Sequence, residues 1–404
     1  MKKFNKSHKL DNVNYEIRGM VMEQAEKMEN EGFDILKLNI GNPAVFNFSA
    51  PDSILNYMKE NINNSQGYSN SKGLKQARES ILDYYKQKGI INLDINSIYT
   101  GNGVSELILM SMQALLNKGD EILVPMPDYP LWTAAVNLAG GTAIHYLCDE
   151  NNEWYPNIKD IESKITNNTK GIVIINPNNP TGSLYPKEIL KQIVDLARKN
   201  KIIIFSDEIY DRLIYDDLEH ASIAALSNDV VTVTFSGLSK SHMLAGFRIG
   251  WMCITGKKIN IAGYIEGLNL LSSMRLCSNV PSQYIVEEAI KDITSTKSLL
   301  IKGGRLYEQR EYLYNALNQI PGISAIKPKA AFYIFVKIDT NMYNITDDEK
   351  FVLDFLKSKH ILLMHGTAFN WKENNYFRIV YLAEKEKLEY TVQCLKEFLK
   401  TYRQ

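Results

Sequence analysis

Five short apolar runs in the middle of the chain, at residues 122–124, 172–175, 202–205, 230–235 and 251–254, constrain the fold more than any other feature. Each is continuous rather than alternating, the pattern of strands covered by helices on both faces. Between them, residues 106–116 and 184–198 carry apolar side chains at helical spacing. Strand and helix in alternation predict an α/β fold: a three-layer α/β/α large domain with a mostly parallel sheet. From about residue 281 the pattern changes to one long helical stretch through about 320, a strand at 332–336, a helix at 351–358 and a strand at 376–382. That reads as a smaller α+β domain. The expected division is 1–50 for an N-terminal arm and part of the small domain, 51–290 for the large domain and 291–404 for the small C-terminal domain. A chain of 404 residues, 45% apolar and 23% charged, supplies core for both.

Composition narrows the partners. Lysine plus arginine equal aspartate plus glutamate at 46 each, which argues against nucleic acid or an anionic membrane and favours a small-molecule ligand. Cys148, Cys253, Cys277 and Cys394 are scattered with no Cys-x-x-Cys pair, so neither a metal site nor a disulfide framework is expected. The basic first ten residues have no apolar stretch behind them, and the expected location is the cytoplasm.

The chemistry-bearing residues fall where strands end. Asn176-Pro177-Asn178-Asn179-Pro180-Thr181-Gly182 follows the run at 172–175, Asp207-Glu208-Ile209-Tyr210 follows 202–205, and Ser236-Gly237-Leu238-Ser239-Lys240 follows 230–235, with Arg248 eight positions beyond. In an open α/β sheet, ligands bind outside the carboxyl ends of the strands, so these groups converge. Each alone has a plain structural reading: Asp207 as a helix cap, Asn179 as a turn residue, Lys240 as a solvated lysine. Together they offer an amine nucleophile, an acid for a ring nitrogen, donors for a phenolate oxygen and a cation for a phosphate, which are the polar features of pyridoxal 5′-phosphate. Gly101-Asn102-Gly103-Val104-Ser105-Glu106 leads into a helix and presents free N–H groups to an anion.

These motifs, with Gly246-Phe247-Arg248-Ile249-Gly250 and Phe377-Arg378-Ile379, give the chain a resemblance over essentially its whole length to the class I/II aminotransferases of the fold-type I pyridoxal-phosphate enzymes. The resemblance implies that Lys240 binds the cofactor aldehyde and then acts as general acid and base, and that Asp207 holds a proton on the pyridine nitrogen. Asn179 and Tyr210 would bond the phenolate oxygen, and Tyr129 would stack on the ring. Gly103, Val104 and Ser105 would form the phosphate cup with Arg248, joined by Ser236 or Ser239, because Gly237 stands where the family often has a hydroxyl. Tyr68 would reach the phosphate from a partner subunit, making the active unit a homodimer with active sites at the subunit interface. Arg378 would take the substrate carboxylate as a planar fork. Gly41 lies in the segment that closes over substrate, with Asn179 also on the substrate side.

Further stretches, among them Lys37-Leu38-Asn39-Ile40-Gly41-Asn42-Pro43 and Asp128-Tyr129-Pro130-Leu131-Trp132-Thr133-Ala134, are similar to bacterial glutamate–pyruvate (alanine) aminotransferases. The activity this implies is L-alanine plus 2-oxoglutarate giving pyruvate plus L-glutamate, by a ping-pong route. Arg18 and Arg275, with Tyr15, are candidates for the second carboxylate of glutamate. An aminotransferase for aspartate, aromatic or branched-chain amino acids, or a pyridoxal-phosphate C–S lyase, would keep the same cofactor residues. An effector-sensing regulator would need a DNA-binding module ahead of the fold.

Overall fold

In the computed structural model, which describes residues 3–11, 13, 15 and 19–404, the apolar runs form the centre of an eight-stranded sheet. Its strands in chain order are β1 (Ile98–Asn102), β2 (Glu121–Met126), β3 (Thr142–Asp149), β4 (Tyr155–Pro156), β5 (Thr169–Ile175), β6 (Ile203–Asp207), β7 (Thr232–Gly237) and β8 (Ile249–Thr255). They lie side by side as β1-β8-β7-β6-β5-β2-β3-β4. The pairings from β7 through to β3 are parallel, whereas β8 runs antiparallel to both of its neighbours.

The absence of alternation has the expected cause. Along β5, Val173 and Ile175 enter one apolar cluster while Ile172 and Ile174 enter another on the opposite face. Along β6, Ile203 and Phe205 divide from Ile204 in the same way. Helix Val104–Leu115 covers the first face and helix Lys187–Asn200 the second. The second helix buries Leu190, Ile193, Val194 and Ala197, spaced three and four apart, and ends where Lys201 turns left-handed at φ 57°.

A four-stranded antiparallel sheet, ordered β9-β10-β12-β11, follows in the chain. It comprises β9 (Ile323–Ala325), β10 (Tyr333–Ile338), β11 (Met364–His365) and β12 (Tyr376–Val380). Helices Arg305–Leu317, Asp348–Lys359 and Lys385–Thr401 pack on it around a shared apolar core. The N-terminal side joins this part of the molecule, since Leu36–Lys37 pair in parallel with Ile361–Leu362.

One expectation is corrected. The stretch 281–320 is not one helix but four: Val280–Tyr284, Val286–Lys291, Thr294–Leu300 and Arg305–Leu317. The last break has a clear origin. Gly303 sits at φ 87°, and a Cβ on Gly304 would lie 2.3 Å from the Ser298 carbonyl, so a tight turn replaces the helix there. Among the described residues no helix is long and apolar enough to cross a membrane.

Candidate active site

Strands β5, β6 and β7 are adjacent, so their carboxyl ends open on one cleft. The β5 loop carries Asn179, β6 ends in Asp207, and β7 runs into the short helix Leu238–Ser241 that carries Lys240. All three line a cavity of about 220 Å³. Tyr15, Gly41, Val104, Ser105, Tyr129, Tyr210, Ser239, Arg248 and Arg378 line it as well.

The electrostatics of the cavity floor differ from those of a surface. Burial lowers the Lys240 amine to about 8; Arg378 and Arg248 push the same way, and Asp207 opposes them. Its Nζ donates to the Gly41 carbonyl at 2.8 Å. Neutral amine, the nucleophilic form, is therefore abundant within reach of physiological pH. Burial raises the Asp207 carboxyl to about 6. The Trp132 indole N–H, 3.1 Å from Oδ2, and the Ile209 amide, 3.3 Å from Oδ1, pull it back down. Asp207 remains anionic at neutral pH and can share a proton with a ring base.

At the other end of the cavity a helix start meets a guanidinium. Helix Val104–Leu115 begins after Gly103, whose φ is 81°. A Cβ at that position would lie 2.3 Å from Arg248 Nη2, so only glycine lets the cation sit against the first turn. Arg248 is fixed by donating to the carbonyls of Ala245 (2.9 Å) and Asn102 (3.2 Å). Free first-turn amides, a positive dipole end and a cation make an anion site. Ser105 and Ser239 line the cavity, whereas the Ser236 hydroxyl turns away to the Glu208 carbonyl at 3.4 Å. The glycine at 237 also has a cause. Its φ of 172° is ordinary extended backbone, but a Cβ would meet the Ile249 carbonyl at 2.7 Å and the Gly250 Cα at 2.9 Å. Strand β8 approaches too closely there for any side chain.

The small sheet supplies the facing wall. Arg378, in β12 opposite Phe335 and Met364, is buried with its guanidinium between the rings of Tyr333 (4.4 Å) and Phe369 (4.5 Å). One Nη donates to Asn179 Oδ1 at 2.7 Å and the other to the Asn39 carbonyl, while Nε has no partner. A buried cation with a spare donor is suited to a carboxylate. Tyr210 and Tyr333 share a hydrogen bond of 2.6 Å between their hydroxyls, and the Tyr15 hydroxyl meets that of Tyr129 at 3.1 Å. A Cβ on Gly41 would lie 2.3 Å from the Tyr333 hydroxyl, which shows how closely that segment presses on the site.

Besides Ser236, three expected residues stand apart. Arg18 lies outside the described residues. Tyr68 is 82% exposed and does not line this chain's cavity. Arg275 is committed elsewhere, donating to the Glu106 carboxylate and to the carbonyls of Thr100 (2.6 Å) and Ser71 (3.3 Å). Trp132 and Tyr333 are among the residues of the site not expected from the sequence. Trp132, one helical turn after Tyr129, had a positional signal; Tyr333, inside a strand of the other sheet, had none.

Residues 34–395 match the family described as aminotransferase class I and II. The chain is 55% identical over 404 residues, all of both chains, to the glutamate-pyruvate aminotransferase AlaA of Haemophilus influenzae. It is 50% identical to the alanine aminotransferase of Mycobacterium bovis over 402 residues, 99% of this chain and 94% of that one. A crystal structure of an Escherichia coli aminotransferase superposes with a TM-score of 0.99 at 53% identity, covering all of both chains. With an amine, a carboxylate, an anion cup and an arginine fork around one cleft, and with family agreement spanning nearly the whole sequence, the chain belongs to the class I and II aminotransferases.

Proposed function

We propose that this enzyme transfers the amino group of L-alanine to 2-oxoglutarate, forming pyruvate and L-glutamate in two half-reactions, with pyridoxal 5′-phosphate as its cofactor. The observation that carries the reading is the meeting of Lys240, Asp207 and Arg378 in one cavity whose far end is a helix start capped by Arg248. The family depends on pyridoxal phosphate in general. The residues fit that group: the Gly103 cradle leaves room for the Arg248 guanidinium beside free amides, and Asp207 offers a buried anion. Bound there, the cofactor supplies an aldehyde that captures amines and a cationic ring that accepts electron density.

The protein's own groups do the rest. Ser105, Ser239, Arg248 and the amides following Gly103 hold the phosphate. Asp207 holds the proton on the ring nitrogen, steadied by Trp132. Asn179 and Tyr210, which line the cavity, would bond the phenolic oxygen, and Tyr129 would cover the ring. Arg378 orients the substrate through its carboxylate, and Asn179 holds the fork in plane. Lys240, once its amine is free, removes and returns the proton at the substrate Cα, with the Gly41 carbonyl as a resting acceptor. Tyr15 and the Gly41 segment exclude water from above. The chain's similarity to enzymes named for glutamate–pyruvate and alanine transfer supports the substrate pair. Tyr68, exposed on this chain, is proposed to complete the phosphate site of a second copy, so that the active unit is a cytoplasmic homodimer.

The test has two parts. The protein is expected to absorb in the visible, either as purified or after pyridoxal phosphate is added, and colourless protein that gains no absorption on addition refutes the cofactor assignment. In a panel of amino donors against pyruvate and 2-oxoglutarate, alanine is expected among the best; a panel in which it is not refutes the substrate assignment alone.

A further inference from the structure

Asp128 precedes Tyr129, is wholly buried, and joins the two sides of the site. Its Oδ1 accepts from Asn370 Nδ2 at 2.8 Å, across 242 positions of sequence, and its Oδ2 accepts from Thr133 Oγ1 at 2.6 Å. Its backbone N–H donates to the Phe369 carbonyl at 3.0 Å. Phe369 is the residue whose ring lies on the Arg378 guanidinium. Thr133 belongs to helix Leu131–Leu138, and its hydroxyl meets His145 Nε2 of β3 at 2.9 Å. Asn370 closes the Gly366–Phe369 turn from a left-handed position, φ 54°. The far side of that turn is pinned by Asp348, which accepts from the Thr367 amide (3.0 Å) and hydroxyl (2.6 Å).

This arrangement is costly for a merely structural contact. A buried carboxyl is normally paired with a cation, and an apolar pair of similar volume would pack as well. Here the donors are uncharged. His145, 4.0 Å from Oδ2, is kept neutral by burial, which lowers it to about 4. Burial correspondingly pushes the Asp128 carboxyl up to about 7 against the pull of Thr133 and Asn370. What the carboxyl adds is a side-chain bond to Asn370 beside the backbone bond from the Asp128 amide to Phe369, so that the loop of Tyr129 is tied twice to the turn of Phe369.

We propose that Asp128 is a positioning residue, a latch that holds the ring-covering Tyr129 and the carboxylate-binding Arg378 as one unit. The proposal rests on the roles assigned above to those two residues. A loosened latch weakens binding on both sides at once, because the tyrosine loop and the arginine wall no longer fix each other's position.

The experiment is a reciprocal swap at pH 8.5, with pyridoxal phosphate affinity of the apoprotein, KM for alanine, kcat and thermal midpoint as readouts. N370D sets two carboxyls against each other and is expected to raise both the cofactor Kd and the alanine KM about tenfold or more. In D128N/N370D the amide introduced at position 128 donates to the carboxylate introduced at position 370, while the amide oxygen still accepts from Thr133. Both constants are then expected to return to within about threefold of wild type. N370A, a milder variant, is expected to shift both constants in the same direction by about fivefold. A change in thermal midpoint alone, with Kd and KM unmoved in N370D and N370A, overturns the latch, as does a double variant no better than N370D. Wild type that takes up no cofactor overturns the parent assignment and this one together; wild type that binds while the swap fails overturns the latch only.

Discussion

The two walls of the cleft are built on opposite plans. On the large-sheet side, Asn179, Asp207 and Lys240 each stand at or just beyond the end of a parallel strand, where the backbone leaves the sheet and a polar side chain reaches the cavity. On the small-sheet side, Arg378 lies inside an antiparallel strand among buried residues, with its guanidinium against two aromatic rings. The first wall carries tunable groups, since burial moves Lys240 down to about 8 and Asp207 up to about 6. The second carries a fixed one, because burial lowers an arginine's pKa without discharging it. On the function proposed above, proton traffic falls to the tunable wall and recognition by a constant charge to the rigid one.

Substitutions can separate the walls. The largest expected effect is K240A, which removes the group proposed both to capture the aldehyde and to move the Cα proton; steady-state turnover should fall by at least about 10⁴-fold, measured by coupled pyruvate release. Next comes R378K, which keeps the charge and loses the fork. It should lower kcat/KM for alanine by on the order of 10²-fold while leaving pyridoxal phosphate uptake close to wild type. Weakened uptake in R378K would break the division of labour between the walls.

W132F should have the smallest effect, about tenfold in cofactor affinity, the scale of one hydrogen bond to a charged group. It also sharpens the comparison through pH. Ionised Asp207 favours the protonated ring, so affinity falls as pH drops through its pKa, near 6. Trp132 lowers that pKa, so its loss should move the acid limb of the affinity profile upward. An acid limb unmoved by W132F would detach the indole from the carboxylate's titration.

Legibility follows the same division. The strand-end motifs are contiguous, and continuous apolar runs announce the strands before them, so Asn179, Asp207 and Lys240 could be placed on one edge from sequence. Arg378 was legible through the Phe377-Arg378-Ile379 motif. Its partners were not. Tyr333 and Phe369 come from other segments, and whether their rings meet the guanidinium depends on the β10–β12 register and on the Gly366–Phe369 turn. Ser236 shows the limit in the opposite sense: a hydroxyl four residues before the lysine looks usable, yet its rotamer is taken by the Glu208 carbonyl. The long helix expected over 281–320 failed because apolar spacing does not register breaks such as the glycine pair at 303–304, and the stretch folds as four helices.

By itself, then, the chain's order of residues determined the layered α/β sheet and the edge on which Asn179, Asp207 and Lys240 gather, and it carried the motifs from which the roles of Lys240, Asp207 and Arg378 are proposed, because each is encoded by local periodicity or a contiguous motif. Tertiary structure alone decided which groups touch: Trp132 on Asp207, Tyr333 and Phe369 on Arg378, Asn370 on Asp128. Those contacts bridge distant segments, and a hydrogen bond or ring contact is fixed to tenths of an ångström by strand register and close packing that no local pattern carries.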